Sequence, residues 1–379
     1  MSPSSAGGGR RVILVTTSLA PFDAIGNDVL GMRESLARAG FAVELYAGEV
    51  HPRLSSVGRK LDMDTQTFWR DREALLIYHH SMGWPEGQDL LESARGRIVV
   101  KYHNITPPRF FQPYSDVYTG ACRAGECANF RVANHRRAIY WGDSTFNCDD
   151  LARYGARLSR CRVLAPFHYA EDAADTPHDR PVLQRYGARP RSKLLFVGGI
   201  KPNKGHIQLL RVTAEYKRAY DPDVTLFLPG AIDPRLKAYQ RHLEDVIDAH
   251  GLRENVVFPG SVSTAALRSY YLLCDVFLCL SEHEGFCVPL IEAMVHRMPI
   301  VAAAKTAVGE TVDGAGLLWE EDAAGYYVEG IAACMESAST RQTLQTAGFE
   351  RFETHFRRDV LGGRLLELVE EAFAQPAAN

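Results

Sequence analysis

Two carboxylates with seven residues between them form the sharpest chemical feature of this sequence. They are Glu284 and Glu292, in Ser281-Glu-His-Glu-Gly-Phe-Cys-Val-Pro-Leu-Ile-Glu-Ala-Met294. Pro289 falls where a first helical turn tolerates it, so Glu284 reads as a loop residue and Glu292 as one turn into a helix. Gly285 lets backbone come close to a ligand. The N–H groups of Phe286 and Cys287, ahead of Pro289, lie where a helix leaves its first donors without partners and favours an anion. Carboxylates beside such a site can grip hydroxyls while the amides take a diphosphate. The plainer account of Glu292 is complementation of the helix dipole, worth about 0.3–1 kcal/mol.

A second group of residues supplies a cation. Phe196-Val-Gly-Gly-Ile-Lys-Pro-Asn-Lys-Gly-His206 places Lys204 before a glycine at the exit of an apolar run. It is not a Walker A loop, because the lysine precedes its glycine and no Ser or Thr follows in place. A lysine there would stabilise charge on a leaving phosphate, or be a solvated loop residue. In the N-terminal half, Gly26-Asn27-Asp28 opens a helix, where Asn27 or Asp28 could equally be its cap. His103 follows the run Val-Val-Lys-Tyr, and His79 and His80 end the run before it. Each could meet a ligand or be a hydrogen-bonded structural histidine. No metal site is expected. Cys122, Cys127 and His135 fit no common zinc spacing, and Asp62-Met-Asp64 and Asp221-Pro-Asp223 do not follow a strand that would build a donor site.

These residues need a scaffold, and the hydrophobic pattern supplies it. Apolar runs at 11–16, 41–47, 74–78, 97–102, 138–142 and 162–165 alternate with helical periodicity, the signature of buried parallel strands with crossover helices. A second alternation begins at Lys193 and runs through strands at 224–228, 256–258, 276–280 and 299–303, with Thr264 as a helix cap. The polar, proline-bearing stretch between the arrays reads as a linker. The expected layout is a tail at 1–10, a Rossmann-like acceptor-side domain at 11–170, a linker at 171–190, a donor-binding Rossmann-like domain at 191–355, and a helix at 356–379 packing back on the first domain. In such sheets ligands bind beyond the carboxyl ends of the strands, so two facing domains would enclose a deep cleft.

The paired-glutamate segment and the Pro-Asn-Lys-Gly loop resemble those of retaining glycosyltransferase family 4, of α/β class and GT-B fold, and especially its bacterial polysaccharide enzymes. The resemblance implies that Glu284 contacts the transferred sugar, Glu292 the nucleotide ribose and Lys204 the donor diphosphate. It places His103 near the donor sugar and Gly26 in the glycine loop that approaches donor or acceptor. Catalytic roles thus fall on Glu284, Lys204 and His103. Donor contacts fall on Gly26, Gly199, Lys204, Glu284, Gly285, Phe286, Cys287 and Glu292. Two positions depart from the family: Gly199 stands where relatives carry Arg, and Cys287 where they often carry Gly. The implied reaction moves a hexose, with retention and without metal or cofactor, from a nucleotide diphosphate sugar to a glycan or polyprenyl-diphosphate-linked acceptor. GDP-mannose is the preferred donor.

Composition narrows the field. The 379 residues are 46% hydrophobic and 23% charged, with a formal net charge of -3. That excludes the basic excess of a dedicated nucleic-acid binder. No apolar run is long enough for a membrane span, and the small polar start lacks a signal peptide's apolar core. A cytoplasmic protein with reduced cysteines is therefore expected. Arg131, Arg136, Arg137, Arg153, Arg157, Arg160 and Arg162 make a basic N-domain surface, either a solvated face or a peripheral contact with anionic lipid. Two rival functions remain: a nucleotide-sugar epimerase of the same fold and a non-catalytic sugar-binding module.

Overall fold

The computed structural model describes residues 9–21, 23–187 and 192–375. Residues 1–8 of the expected tail and 188–190 of the expected linker lie outside them. The chain divides into two compact units: unit 1 is Met1–Pro107, Gly120–His168 and Arg358–Asn379, and unit 2 is Pro108–Thr119 and Tyr169–Arg357.

Unit 1 is built on β1 (Arg11–Leu19), α1 (Ala24–Arg38), β2 (Ala42–Val50), β3 (Arg59–Lys60), β4 (Leu75–His80), α2 (Pro85–Ser93), β5 (Arg97–Tyr102), α3 (Asp116–Ala133), β6 (Ile139–Gly142), α4 (Thr145–Arg153) and β7 (Cys161–Val163). Its seven strands run in the order β3-β2-β1-β4-β5-β6-β7, all parallel. Val12 to Val15 are buried because helices cover both faces of the sheet. The α1 cap is Asp23, whose carboxylate accepts from Gly26 N. Neither Asn27 nor Asp28 has that role.

Unit 2 holds α5 (Ala170–Asp175), α6 (Arg180–Gly187), β8 (Lys193–Leu195), α7 (His206–Ala219), β9 (Thr225–Pro229), α8 (Lys237–Ala249), β10 (Val256–Gly260), α9 (Thr264–Leu273), β11 (Val276–Cys279), α10 (Val288–Val295), β12 (Ile300–Ala303), α11 (Val308–Val312), β13 (Leu317–Trp319), α12 (Ala324–Glu336) and α13 (Ala338–His355). Its parallel sheet has the order β10-β9-β8-β11-β12-β13. Ser263, not Thr264, caps α9, accepting from Ala266 N. The stretch expected to be a linker forms α5 and α6, and α6 packs on α9 within unit 2. Residues 108–119, expected in the first domain, also count with unit 2. There Tyr118 donates to Asp233 Oδ2 at 2.6 Å.

The last helix, α14 (Arg358–Phe373), belongs to unit 1. Leu361, Leu365, Leu368 and Val369 share an apolar cluster with Val12, Leu14, Val29 and Met32. Each such side chain contributes about 1.5–3 kcal/mol on burial.

Candidate active site

In unit 2 the strand order reverses between β8 and β11, which lie side by side although β9 and β10 come between them in sequence. Ligands of open α/β sheets bind at such a switch point. The loops after these two strands carry Lys204 and Glu284.

Three contacts join the loops. Gly205 adopts φ +70°, and a Cβ there would lie 1.9 Å from the Leu280 carbonyl oxygen, so only glycine permits this approach. The Asn203 carbonyl accepts from the backbone N–H groups of Glu282 (2.9 Å) and His283 (3.2 Å). The Asn203 side chain in turn donates to the His283 carbonyl at 3.1 Å. Lys204 is thereby brought onto Glu284, its Nζ 2.7 Å from each carboxylate oxygen. Glu284 N–H donates to Thr306 Oγ1 at 2.9 Å, fixing the loop from β12's side. The lysine side chain is 23% exposed and the glutamate 7%. Burial alone would lower the Lys204 pKa; the charge and hydrogen bond of Glu284, with the neighbouring Cys287 and Cys279, together outweigh it and hold the pKa above its ordinary value.

The remaining predicted donor residues of unit 2 have partners of their own. Phe286 and Cys287 are buried, and the Phe286 carbonyl accepts from Thr311 Oγ1 at 2.8 Å. The Phe286 ring packs edge-on against Phe356, and the Cys287 sulfur lies 4.0 Å from that of Cys279. Cys287 caps α10 in the left-handed region, φ +78°, which explains why glycine suits this position. Glu292 Oε2 accepts from Tyr271 at 2.6 Å. Burial raises its pKa, and the tyrosine hydrogen bond opposes that rise. At Gly199 a Cβ would meet Lys201 Cε at 3.6 Å. The Lys201 stem thus passes beside the position from which relatives extend an arginine. Gly285 lies in the loop between Glu284 and α10.

The other two predicted residues belong to unit 1. A Cβ on Gly26 would sit 2.7 Å from the Ala20 carbonyl oxygen, so the chain's own loop demands glycine there. His103 follows β5 inside a buried polar chain that the sequence reading did not assemble. Its Nδ1 lies 3.0 Å from Asp143 Oδ2, and its Nε2 lies 2.9 Å from His79 Nδ1. Lys101 donates to Asp143 and, at 2.5 Å, to the Leu164 carbonyl. Asp28 Oδ1 accepts from Phe167 N at 2.8 Å. Its Oδ2 stands 3.7 Å from His79 Nδ1 and 3.8 Å from His103 Nε2. Burial would raise the Asp143 pKa, but the charges of His103 and Lys101 hold it below the usual range. Burial drives His79 well down, and it raises Asp28. One signal for this network was in the sequence: a lysine inside the buried run of β5 must find an anion.

Asp28, His79 and His103 present three potential metal-ligand atoms within 4.8 Å of one another. The two imidazoles, however, lie nearly in one plane, 14° apart, with centroids separated by 5.1 Å. That separation is what a straight N–H···N bond between edge-facing rings requires. The facing nitrogens aim at each other and not at a common third point, so the geometry is that of a hydrogen bond.

Residues 184–351 match the family described as glycosyl transferases group 1. Among curated proteins, the chain is 26% identical over 186 residues to the GDP-mannose-dependent alpha-(1-6)-phosphatidylinositol monomannoside mannosyltransferase of Mycolicibacterium smegmatis, over 44% of this chain and 47% of that one. It is 29% identical over 182 residues to the GDP-mannose:cellobiosyl-diphosphopolyprenol alpha-mannosyltransferase of Xanthomonas oryzae pv. oryzae, over 45% and 47%. In both, the chain spans about half the length of the relative. Among solved structures, sucrose-phosphate synthase from Thermosynechococcus elongatus superposes with a TM-score of 0.76 at 17% identity, over 96% of this chain and 99% of that one. That likeness extends the agreement in fold to both units. Residues 184–351 are thus a group 1 glycosyl transferase domain, on a chain of GT-B fold that resembles the family 4 glycosyltransferases.

Proposed function

We propose that this protein is a retaining, metal-independent hexosyltransferase that uses a nucleotide diphosphate sugar, with GDP-mannose the preferred donor. The observation that carries the reading is the meeting of Lys204 and Glu284 at the unit 2 switch point, beside the N-termini of α7 and α10. A cation and two helix N-termini suit a diphosphate, and a buried carboxylate suits sugar hydroxyls. In the resting protein these two charges neutralise each other. An arriving diphosphate would take the lysine and leave Glu284 to the sugar. Glu292, held by Tyr271, would take the ribose. Lys201, passing beside Gly199, would supply the second cation that relatives obtain from arginine. The names of the two mannosyltransferases support GDP-mannose as donor and a lipid-linked glycan or polyprenyl-diphosphate-linked acceptor.

Transfer is tested with GDP-mannose and UDP-glucose against polyprenyl-diphosphate oligosaccharides, reading the anomeric configuration of the product by NMR. Glu284→Ala and Lys204→Ala should each lower the rate at least about tenfold, equivalent to about 1.4 kcal/mol of barrier. Full activity in both variants would refute the site. Formation of an epimeric sugar nucleotide from donor alone would favour an epimerase, and binding without turnover a sugar-binding module. Access to a lipid-linked acceptor would use the surface where Arg136, Arg153 and Arg157 accompany the exposed Phe130 (57%) and Leu158 (56%). Co-sedimentation with vesicles that ignored anionic lipid content and salt would remove that contact.

A further inference from the structure

The two ring nitrogens of His103 are both engaged, one by Asp143 and the other by His79. An ionised Asp143, held by Lys101, accepts the Nδ1–H of His103. In the neutral ring Nε2 is then an acceptor, and His79 must supply the proton from its Nδ1. His79 and Asp28 are both wholly buried, so neither touches a ligand. Each nevertheless keeps one atom without a hydrogen-bond partner, His79 Nε2 and Asp28 Oδ2. An orphaned carboxylate oxygen in a dry interior is costly, and this one faces the His79 donor at 3.7 Å. A shift of about 1 Å would close that gap to an ordinary hydrogen bond.

We propose that His79 and Asp28 are positioning residues for His103: His79 Nδ1–H occupies His103 Nε2 in the free protein and passes to Asp28 Oδ2 when a ligand hydroxyl takes its place. One hydrogen bond is exchanged for another and no proton changes owner. His103 thereby becomes an acceptor of fixed tautomer for a sugar hydroxyl, without leaving a buried N–H unpaired. The ligand half of this inference rests on the glycosyltransferase reading above.

The test combines a coupling across the hydrogen bond with a double-mutant cycle. In protein labelled with 15N in its imidazoles, a scalar coupling between His79 Nδ1 and His103 Nε2 is expected in the free state. It should vanish on saturation with GDP-mannose or UDP-glucose, whichever calorimetry shows to bind. Asp28→Asn keeps an oxygen for the Phe167 N–H and puts an N–H₂ where Oδ2 stood, so His79 loses its alternative acceptor. Sugar-nucleotide affinity should fall about tenfold in this variant. In the His79→Phe background, where His103 Nε2 is never capped, Asp28→Asn should change affinity less than twofold. Absence of the coupling in the free wild-type protein overturns the proposal, as does its persistence at saturation or an equal effect of Asp28→Asn in both backgrounds. Failure of both sugar nucleotides to bind wild-type protein overturns the functional reading, and the ligand half with it. The coupling in the free protein separates that failure from an error in the hydrogen-bond assignment.

Discussion

Gly205 and Cys287 share the left-handed backbone region but answer to different constraints. At Gly205 the obstacle is steric, since a methyl group would overlap the Leu280 carbonyl oxygen. Gly205→Ala must therefore separate the loops after β8 and β11 and pull Lys204 off Glu284. A loss of about 2–4 kcal/mol is expected on adding the backbone cost to the clash. The thermal shift produced by a sugar nucleotide should disappear with it. Gly314 is the control: its φ is +80° but nothing lies within 4 Å of an added Cβ. Gly314→Ala should cost only about 1–2 kcal/mol and leave nucleotide binding intact. At Cys287 the residue already bears the left-handed penalty. Cys287→Gly removes about 1–2 kcal/mol of backbone strain and gives up a buried thiol of comparable value, so stability should stay within about 1 kcal/mol of wild type. Cys287→Val, β-branched at φ +78°, should lose about 2 kcal/mol or more. Denaturant melts of the two variants that coincided would contradict this account.

At the scale of elements, α9 and α10 are tied through the Tyr271 hydroxyl, which donates to Glu292 Oε2 at 2.6 Å and reaches the Pro289 carbonyl at 3.4 Å. The tyrosine ring also stacks on His296, with centroids 4.7 Å apart, so it stays in place without its hydroxyl. Tyr271→Phe should therefore leave the helices packed and strip a buried carboxyl of its donor, a cost of about 1–3 kcal/mol. Loss of affinity for nucleoside diphosphates without loss of stability would instead mean that the hydroxyl faces the ligand. Elements of this kind differed in how far the sequence revealed them. The strands were legible because parallel strands buried on both faces are continuous apolar runs, as in Val12 to Val15. The lysine and glutamate of the site were legible because each follows such a run. Helices α5 and α6 were not: α5 buries only Ala170 at its start, and α6 offers only the half-buried Val182, Leu183 and Tyr186, too short an apolar stripe to stand out among polar residues. Ser263 and Thr264 are adjacent and both can cap a helix; the stronger capping preference of serine pointed to Ser263. The Asp28–His79–His103–Asp143 chain needed the strand register, which sets His79 opposite Lys101. Attachment of residues 108–119 to unit 2 rests on contacts more than a hundred positions away, such as Tyr118 with Asp233.

At the scale of the whole molecule, both units bury neutral histidines, and this couples stability to pH. Burial pushes His80 of unit 1 down to about 4 and His206 of unit 2 down to about 3. His80 keeps one hydrogen bond, 2.8 Å to Asn129 Oδ1. Between the unfolded-state value near 6.5 and these folded values, the unfolded chain binds protons that the folded chain refuses. Stability is then fully present above about pH 6.5 and is lost as pH falls toward 4. At pH 5 each of the two histidines should cost roughly 2 kcal/mol, so both units should weaken together over a range where most carboxylates remain ionised. His80→Gln can still donate to Asn129 and does not titrate. It should remove the His80 share of unit 1's acid branch, leaving the share of the buried His79, and leave the acid branch of unit 2 unchanged. Hydrogen exchange between pH 7 and pH 5 resolves the two, with β4 amides reporting unit 1 and α7 amides unit 2. Protection in both elements that stayed constant over that range, after correction for intrinsic exchange, would show that these histidines reach solvent and that the acid response lies elsewhere.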